Sequence, residues 1–409
     1  MDKYHLVVLL CQTPNTTLSL YVKKLNKTQI RFLATSYQIS QKDKGVDVRI
    51  PHLRKQLLEY IEEKNITLEQ LEQMIHPKLE TKSLSVQETG TVRVIDEHLE
   101  IRYVIHLADL HIRPKWRYEE YHSVFTRFIN LLKKDYHKLK NRTVVVVCGD
   151  IFHTKITQKS NSISLWNYLV QEVTQLFPML VITGNHDYNM KSNDRDWISC
   201  TYPTTNFYHL NELGEYHFKN IVFCASPLHE ESLYACQRKQ NKTYIQLYHG
   251  TLNGSQLCFH HKELSGIDIS SFGDFDYLLW GDSHKYQHLR ENVAYSGSMI
   301  QQNFGETIGH HGFILWDIQN KTNSFHELEN EYAYVNVHVY EDKYNLDEEL
   351  FCFAKTKLRI CFHCHAYAPQ QVDHCIQFLK DKGYQLVETK QKRHYAIESR
   401  GIEAQVQTI

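Results

Sequence analysis

No charge of one sign dominates this chain: 46 Lys and Arg stand against 47 Asp and Glu, a formal net charge of −1 over 409 residues. Without a global basic excess, contact with nucleic acid has to come from a local patch rather than from overall charge. Apolar runs are short. The longest near the N-terminus, Leu6–Cys11, is too small for the apolar part of a secretion signal, and Asp2 precedes it where such a signal carries positive charge. Nothing approaches the ~20 consecutive apolar residues of a membrane span. Ten cysteines are scattered with no disulfide framework, and Cys148 and Cys224 fall in apolar runs, where a thiol acts as a small hydrophobe. Internal repeats and low-complexity tracts are also missing. These absences point to a soluble, intracellular protein of a reducing compartment, with no membrane partner. What is present is an ordinary globular composition, 42% hydrophobic and 23% charged. It can build a normal core, and the length predicts two or three domains.

Residues 1–80 read as a small α+β unit. Strands are predicted at Leu6–Leu10 and Ile30–Thr35, and Leu53–Glu63 places Leu53, Leu57, Leu58 and Ile61 on one helical face. Thr67 followed by Gln70 starts a second helix over Leu68–Ile75, which Pro77 stops. Residues 81–99 are polar and turn-rich and read as a linker with room for a hairpin. Over residues 100–322 strands alternate with helices: strand Ile101–Ala108, helix Tyr118–Tyr136, the valine-rich strand Thr143–Cys148, helix Ile163–Phe177 and strand Met179–Thr183. A nearly pure valine strand is expected where both faces are covered. Later segments are richer in strand, at Ile221–Ala225, Tyr244–Tyr248, Asp276–Trp280, Val293–Tyr295 and Gly312–Asp317. The pattern is an α/β sandwich. Residues 323–409 predict a smaller α/β unit, with strand Lys357–His365, a helix over Gln370–Lys382 ended by Gly383, and strands Tyr384–Thr389 and His394–Glu398.

The informative residues stand at strand ends. Asp109-Leu110-His111, Gly149-Asp150, Gly184-Asn185-His186-Asp187, His249-Gly250 and Gly281-Asp282-Ser283-His284 each follow a predicted strand, and His153 and the loop Tyr295-Ser296-Gly297-Ser298 complete the set. Side chains at the carboxyl ends of neighbouring strands converge on one crevice. The N and O donors of Asp109, His111, Asp150, Asn185, His249, Asp282 and His284, without a thiolate, suit a pair of divalent cations such as manganese, iron or zinc. Asp150, at the end of the valine strand, is the natural bridge. Two metals ~3.5–4 Å apart lower the pKa of a shared water and clamp a phosphoryl oxygen, and phosphate esters are among the slowest substrates to hydrolyse unaided. His186 directly follows a ligand and can face the phosphate as a cation or proton donor. Any one histidine among 26 is more often a surface or structural residue, and a lone Gly-Asp is often a turn. Five blocks in order, each at a strand end, are not explained that way.

These blocks resemble the calcineurin-like metallophosphoesterase family, whose signature runs D-x-H, G-D, G-N-H-D, H and G-H-x-H, over about residues 103–317. The finer resemblance is to its DNA-repair nuclease branch, which includes the SbcD subunit of bacterial SbcCD and phage and large-DNA-virus relatives. His106–His111, Gly149–His153, Gly184–Asp187, Tyr295–Ser298, Gln301–Glu306 and Gly312–Asp317 carry it. The resemblance implies a four-layer αββα sandwich with a small α/β C-terminal cap, which residues 323–409 would supply, beside an extra N-terminal α+β domain. It implies Asp109, His111, Asp150 and His284 around one metal and Asp150, Asn185, His249 and Asp282 around the other. His186 would stabilise the transition state, and His153 would help orient the phosphodiester. The branch uses manganese and cuts DNA, mainly as a 3′-to-5′ exonuclease with some single-strand endonuclease activity. Asp282 departs from the family histidine, and residues 1–95 have no counterpart in the branch. DNA is the expected partner. The segment by which the branch docks on an SMC-like ATPase is missing or very short, and a homodimer remains open.

Lys355 and Lys357 on one strand face, and Lys390, Lys392 and Arg393 beyond it, are expected with Ser296 and Ser298 to track a nucleic-acid backbone. Cys361-Phe362-His363-Cys364-His365 has the spacing of haem attachment and hints at zinc. Ile360, Phe362 and Cys364 nevertheless alternate as one strand face. Two other functions compete. A phosphomonoester or phosphoprotein phosphatase is disfavoured because no Asp-Arg-Gly follows Gly149-Asp150 and the third block ends in Asp187. A catalytically weak scaffold is disfavoured by the presence of His186.

Overall fold

The computed structural model describes residues 30, 33, 42–43, 46–47, 50–64, 85–113, 117–155, 157–188, 196–201, 204–230, 232–238, 241–257, 260–263, 266–340, 343–344, 355–362, 376–378, 380–381 and 385–391. The chain divides into two compact units, residues 1–83 and 84–409. In the first, the helix Ile50–Glu63 forms where the leucine spacing predicts it, burying Leu53, Leu57 and Ile61. Ile30 and Leu33 are helical and fully buried, where the sequence pattern places a strand. Their three-residue spacing puts both on one helical face, whereas a strand would turn them to opposite faces. The expected strand Leu6–Leu10 and helix Leu68–Ile75 lie outside the described residues.

The second unit is built on two large sheets. The six-stranded sheet runs in the order Thr322–Glu327, Gly312–Asp317, Tyr103–Leu107, Thr143–Cys148, Met179–Ile182, Phe207–His209, and its last four strands are parallel. The seven-stranded sheet runs Gln287–Arg290, Val293–Tyr295, Tyr277–Gly281, Thr243–His249, Ile221–Ala225, Gly214–Phe218, Thr91–Asp96. The two pack face to face: Val144, Val146, Leu180 and Ile182 meet Phe223, Ile245, Leu247 and Leu279 in one buried cluster. Val145, Val147 and Val181 point the other way, under the helices Tyr118–Leu131 and Ser160–Thr174. Thr143–Cys148 is buried along its whole length, which is why both of its faces are apolar. On the outer face of the seven-stranded sheet, Tyr248, Leu278, Trp280 and Tyr295 are covered by the 3-10 turn Ile269–Phe272, by Leu228 of the turn Leu228–Glu230, and by Leu233 and Leu252. Among the described residues this fourth layer holds no α-helix, so it is thinner than a helical fourth layer.

Residues 85–96 are not linker. Ser85–Gln87 pairs with Ser232–Tyr234, and Thr91–Asp96 forms the edge strand beside Gly214–Phe218. An edge strand on this sheet needs little core signal. Its valines, Val92 and Val94, are 63% and 57% exposed, so their alternation does not mark a buried face. A four-stranded sheet closes the unit, in the order Lys343–Tyr344, Tyr332–Tyr340, Lys355–Phe362, Gln385–Gln391, with its last three strands parallel. Cys361 and Phe362 lie in strand, while residues 363–365 and the expected strand His394–Glu398 lie outside the described residues. No helix among the described residues is long and apolar enough to cross a membrane.

Candidate metal centre

Parallel pairing brings the polar blocks to one edge. Tyr103–Leu107, Thr143–Cys148 and Met179–Ile182 end together in one sheet, and Thr243–His249 and Tyr277–Gly281 end together in the facing one. The backbone at these ends is unusual. Asp109, His111, Asp150 and Asp282 have φ of 53°, 44°, 55° and 103°. Such conformations cost non-glycine residues roughly 1–3 kcal/mol each, and they cluster where geometry matters more than stability. Two glycines let the ends close. A Cβ on Gly184 would lie 2.3 Å from Asp150 Oδ1, and one on Gly281 would lie 1.9 Å from the Cys148 carbonyl oxygen.

The donor atoms converge. His111 Nε2 lies 3.3 Å from Asp150 Oδ2 and 3.9 Å from Asp109 Oδ1. His249 Nε2 lies 3.3 Å from Asp150 Oδ1 and 3.8 Å from Asp282 Oδ1. Asp150 therefore turns one oxygen to each histidine, as a bridging carboxylate must. Asp109, His111 and His284 form one group with donor atoms within 4.8 Å of one another, and Asp109, Asp150 and His249 form another. Asp109 thus also stands between the two halves. The Thr251 hydroxyl donates to Asp282 Oδ2 at 2.8 Å, leaving Oδ1 towards His249. Asn185 donates its amide N–H to Asp282 Oδ1 at 3.3 Å, and its carbonyl accepts from Lys155 Nζ at 3.0 Å. To offer that oxygen to a cation, the Asn185 amide must turn over.

These residues fit divalent cations. His249 Nδ1 donates to the Cys148 carbonyl at 2.8 Å, which fixes the tautomer and leaves a buried Nε2 that makes no hydrogen bond. That nitrogen faces Asp150 Oδ1 at 3.3 Å, where a proton is favoured, and a divalent cation would take the proton's place. His284 Nδ1 donates to Glu306 Oε1 at 2.8 Å, presenting its other nitrogen in the same way. An imidazole anchored by a carbonyl or carboxylate at its far nitrogen is how proteins hold metal-ligating histidines.

Burial pushes the Asp109 carboxyl up to about 7, the pull of His249 and His284 being outweighed. Burial would raise Asp150 too, but His249, His111 and His186 hold it below the usual carboxylate range. Burial would lower His249, yet Asp150, Asp109 and Asp282 raise it well above its ordinary value. A proton on Asp109 competes with a cation. Manganese affinity is therefore expected to weaken as pH falls below about 7, with proton release on binding. Calorimetric titration across about pH 5.5–7.5 in buffers of different ionisation enthalpy measures both, and a flat affinity without proton release would contradict the assignment.

His186 stands beside the donors. Its backbone N–H donates to Asp150 Oδ1 at 2.8 Å and its Nδ1 donates to the His153 carbonyl at 2.6 Å, leaving Nε2. Its ring lies 4.7 Å from that of His111 and 5.7 Å from that of His153. Burial, with Arg113 next, lowers His153 to about 4. His153 is therefore neutral near pH 7, and its carbonyl rather than a ring charge acts on His186.

Two site residues have roles that the sequence pattern does not assign. One is Glu306. The other is Asp187, fully buried, whose carboxylate accepts the N–H groups of Gly184 at 3.0 Å, Ile151 at 3.2 Å and Phe152 at 3.0 Å. It ties the Asp150 loop to the Asn185 loop. The signal available was an acid in a strand-end loop, which often bonds to nearby backbone. Asp187→Ala would strand three buried donors at ~1–3 kcal/mol each, so a loss above ~3 kcal/mol in urea unfolding is expected. A loss below ~1 kcal/mol would show that water replaces the carboxylate.

Three of the expected DNA contacts, Ser296, Ser298 and Lys357, are buried. Ser296 and Ser298 are fully buried, and their hydroxyls donate to the carbonyls of Gly297 and Ile300 at 3.3 and 2.8 Å. They shape their own loop and present nothing to a nucleic acid. Lys355 pairs with Glu331 at 3.1 Å. Lys357 is 6% exposed, its Nζ over the rings of Tyr332 and Tyr334. Lys357 is thereby taken up by the protein's own rings, whereas Lys355 keeps half of its side chain exposed beside Glu331. The side chain of Lys390, and the whole of Lys392 and Arg393, lie outside the described residues.

Comparison with known proteins agrees with this geometry. Residues 103–286 match the calcineurin-like phosphoesterase family. The chain is 31% identical over 262 residues to the uncharacterized protein R555 of Acanthamoeba polyphaga mimivirus, covering 60% of this chain and 19% of that protein. It is 23% identical over 253 residues to the SbcD subunit of the SbcCD nuclease of Staphylococcus epidermidis, and 24% identical over 254 residues to its counterpart in Staphylococcus saprophyticus. Each of these two matches covers 53% of this chain and 66% of the staphylococcal protein.

Proposed function

We propose that the calcineurin-like phosphoesterase domain of residues 103–286 works as a manganese-dependent DNA nuclease. Its reaction is 3′-to-5′ exonucleolytic, with single-strand endonuclease activity, in repair or recombination. The observation that carries the reading is Asp150, with one oxygen towards His111 and the other towards His249, and His186 held next to it without being one of the bridged donors. Asp109, His111, Asp150 and His284 would hold one cation, and Asp150, Asn185, His249 and Asp282 the other. When bound, two divalent cations supply Lewis acidity to the phosphoryl group and lower the pKa of water. The chain's own part is to fix and neutralise. The His153 carbonyl accepts from His186 Nδ1, so Nε2 is the atom left to face a phosphoryl oxygen, to which it donates when the ring carries its second proton. Lys155, 3.0 Å from the Asn185 carbonyl, adds positive charge beside the crevice. The choice of DNA as substrate is supported by similarity to the staphylococcal SbcCD nuclease proteins.

The test is incubation of the purified chain with end-labelled single- and double-stranded DNA and with para-nitrophenyl phosphate, in manganese and in EDTA. Manganese-dependent shortening of DNA from its 3′ end is the expected result. Turnover of the monoester alone would make the protein a phosphatase, and inactivity on every substrate would make it a scaffold.

A further inference from the structure

The two anchored histidines of the centre are anchored differently. His249 is tied to the backbone of a core strand, at the Cys148 carbonyl. His284 is tied to Glu306, whose carboxylate is 1% exposed and belongs to a segment bound to the cap sheet. Glu306 Oε2 accepts the Gln302 N–H at 2.6 Å and Oε1 accepts the Asn303 amide at 2.6 Å. Gln301, 2% exposed, donates its amide to the Glu306 carbonyl at 3.0 Å and to the Tyr334 carbonyl at 2.9 Å, and accepts the Tyr334 N–H at 2.8 Å. Tyr334 lies within the cap strand Tyr332–Tyr340. That side chain therefore completes the strand's hydrogen bonding as a neighbouring strand would. Asn336 of the same strand donates to the Phe304 carbonyl.

The underside is clamped as well. Buried Arg117 donates to the carbonyls of Gln301 and Gln302 at 2.6 and 3.2 Å and pairs with Glu120. Glu120 in turn accepts the Tyr334 hydroxyl at 2.6 Å. A second branch reaches the other loop, where the Gln302 amide donates to the Leu110 carbonyl at 3.1 Å, next to His111.

We propose that residues 301–306 form a strut through which the cap strand holds His284, with Glu306 and Gln301 as positioning residues, so that displacing the cap weakens one of the two metal sites and spares the other. The inference rests on the reading of His284 as a metal ligand. Glu306 supplies the carboxylate that orients the imidazole and raises its basicity. Gln301 makes that carboxylate's position depend on the cap strand.

Manganese binding to the full chain, followed by calorimetry and by the electron paramagnetic resonance of free manganese, tests this without relying on activity. Wild type is expected to bind two ions. Glu306→Ala should weaken one of them about 10–100-fold and leave the other within about twofold, the range typical of outer-shell partners. Glu306→Gln, which keeps an acceptor oxygen, should fall between. Gln301→Ala should weaken the same ion by a smaller factor. Combined with Glu306→Ala, it should add nothing, because both act through one linkage. Thermal melting identifies any variant that does not fold, and Glu306→Gln and Gln301→Ala then carry the test. Unchanged affinity in folded Glu306 variants, equal weakening of both ions, or additive effects overturn the strut while the two-metal reading stands. Fewer than two ions on wild type would overturn that reading and the strut together.

Discussion

Asp150→Asn is expected to abolish hydrolysis and to weaken manganese binding more than about 100-fold, beyond the upper end for outer-shell partners. The substitution keeps the side chain's shape and one oxygen. What it removes is the charge that makes a bridge possible. Asp150 faces His111 Nε2 with one oxygen and His249 Nε2 with the other, each at 3.3 Å, and accepts the His186 N–H at 2.8 Å. An amide can serve only one of these sides as an acceptor; its NH2 would confront either a cation or a donor. The effect should exceed that of Asp282→Asn, since Asp282 is held at the rim by the Thr251 hydroxyl and reaches a single histidine. Manganese titration and hydrolysis of a phosphodiester are the measurements. An Asp150→Asn protein that keeps more than about a tenth of wild-type activity would remove Asp150 from the bridging position.

The strand-end donors were legible because local pattern and global fold say the same thing there. An apolar run such as Thr143–Cys148, buried on both faces, can only be an interior strand of a covered sheet. In a parallel sheet its carboxyl end is where a polar block belongs. The pattern therefore assigns all seven donors to one crevice, and Asp109, His111, Asp150, His249 and His284 stand there in compact donor groups, with Asp282 beside His249. Residues whose roles are purely tertiary were not legible. Glu306 lies 22 positions from its partner His284 and follows no apolar run. Lys357 alternates as an exposed strand residue would, yet the rings of Tyr332 and Tyr334 cover it. The loop serines read as contacts because their type is right, but hydroxyls that bond to a carbonyl one or two residues away are local turn chemistry. The edge strand Thr91–Asp96 is illegible for the opposite reason: its valines face solvent, so burial leaves no trace in its pattern.

The geometry around His186 makes two substitutions diverge. His186→Ala deletes the ring but leaves the backbone N–H that binds Asp150, so the donors should keep both cations. The rate should fall about 10²–10⁴-fold, the usual range for a positioned acid or base, with manganese affinity within about twofold of wild type. His153→Ala, by contrast, keeps the carbonyl that fixes His186 Nδ1. It removes a ring whose ordinary value is lowered to about 4 by burial and Arg113, a group with no proton to give near neutral pH. Its cost should stay below about tenfold, so the pair separates chemistry carried by a side chain from orientation carried by a backbone oxygen. Single-turnover rates on a phosphodiester, measured with manganese saturating, provide the comparison. If His186→Ala lost metal in proportion to rate, His186 would belong with His111 and His153, whose nitrogens lie within 4.8 Å of its own, as a ligand group. The acid role would then pass to a residue outside that trio.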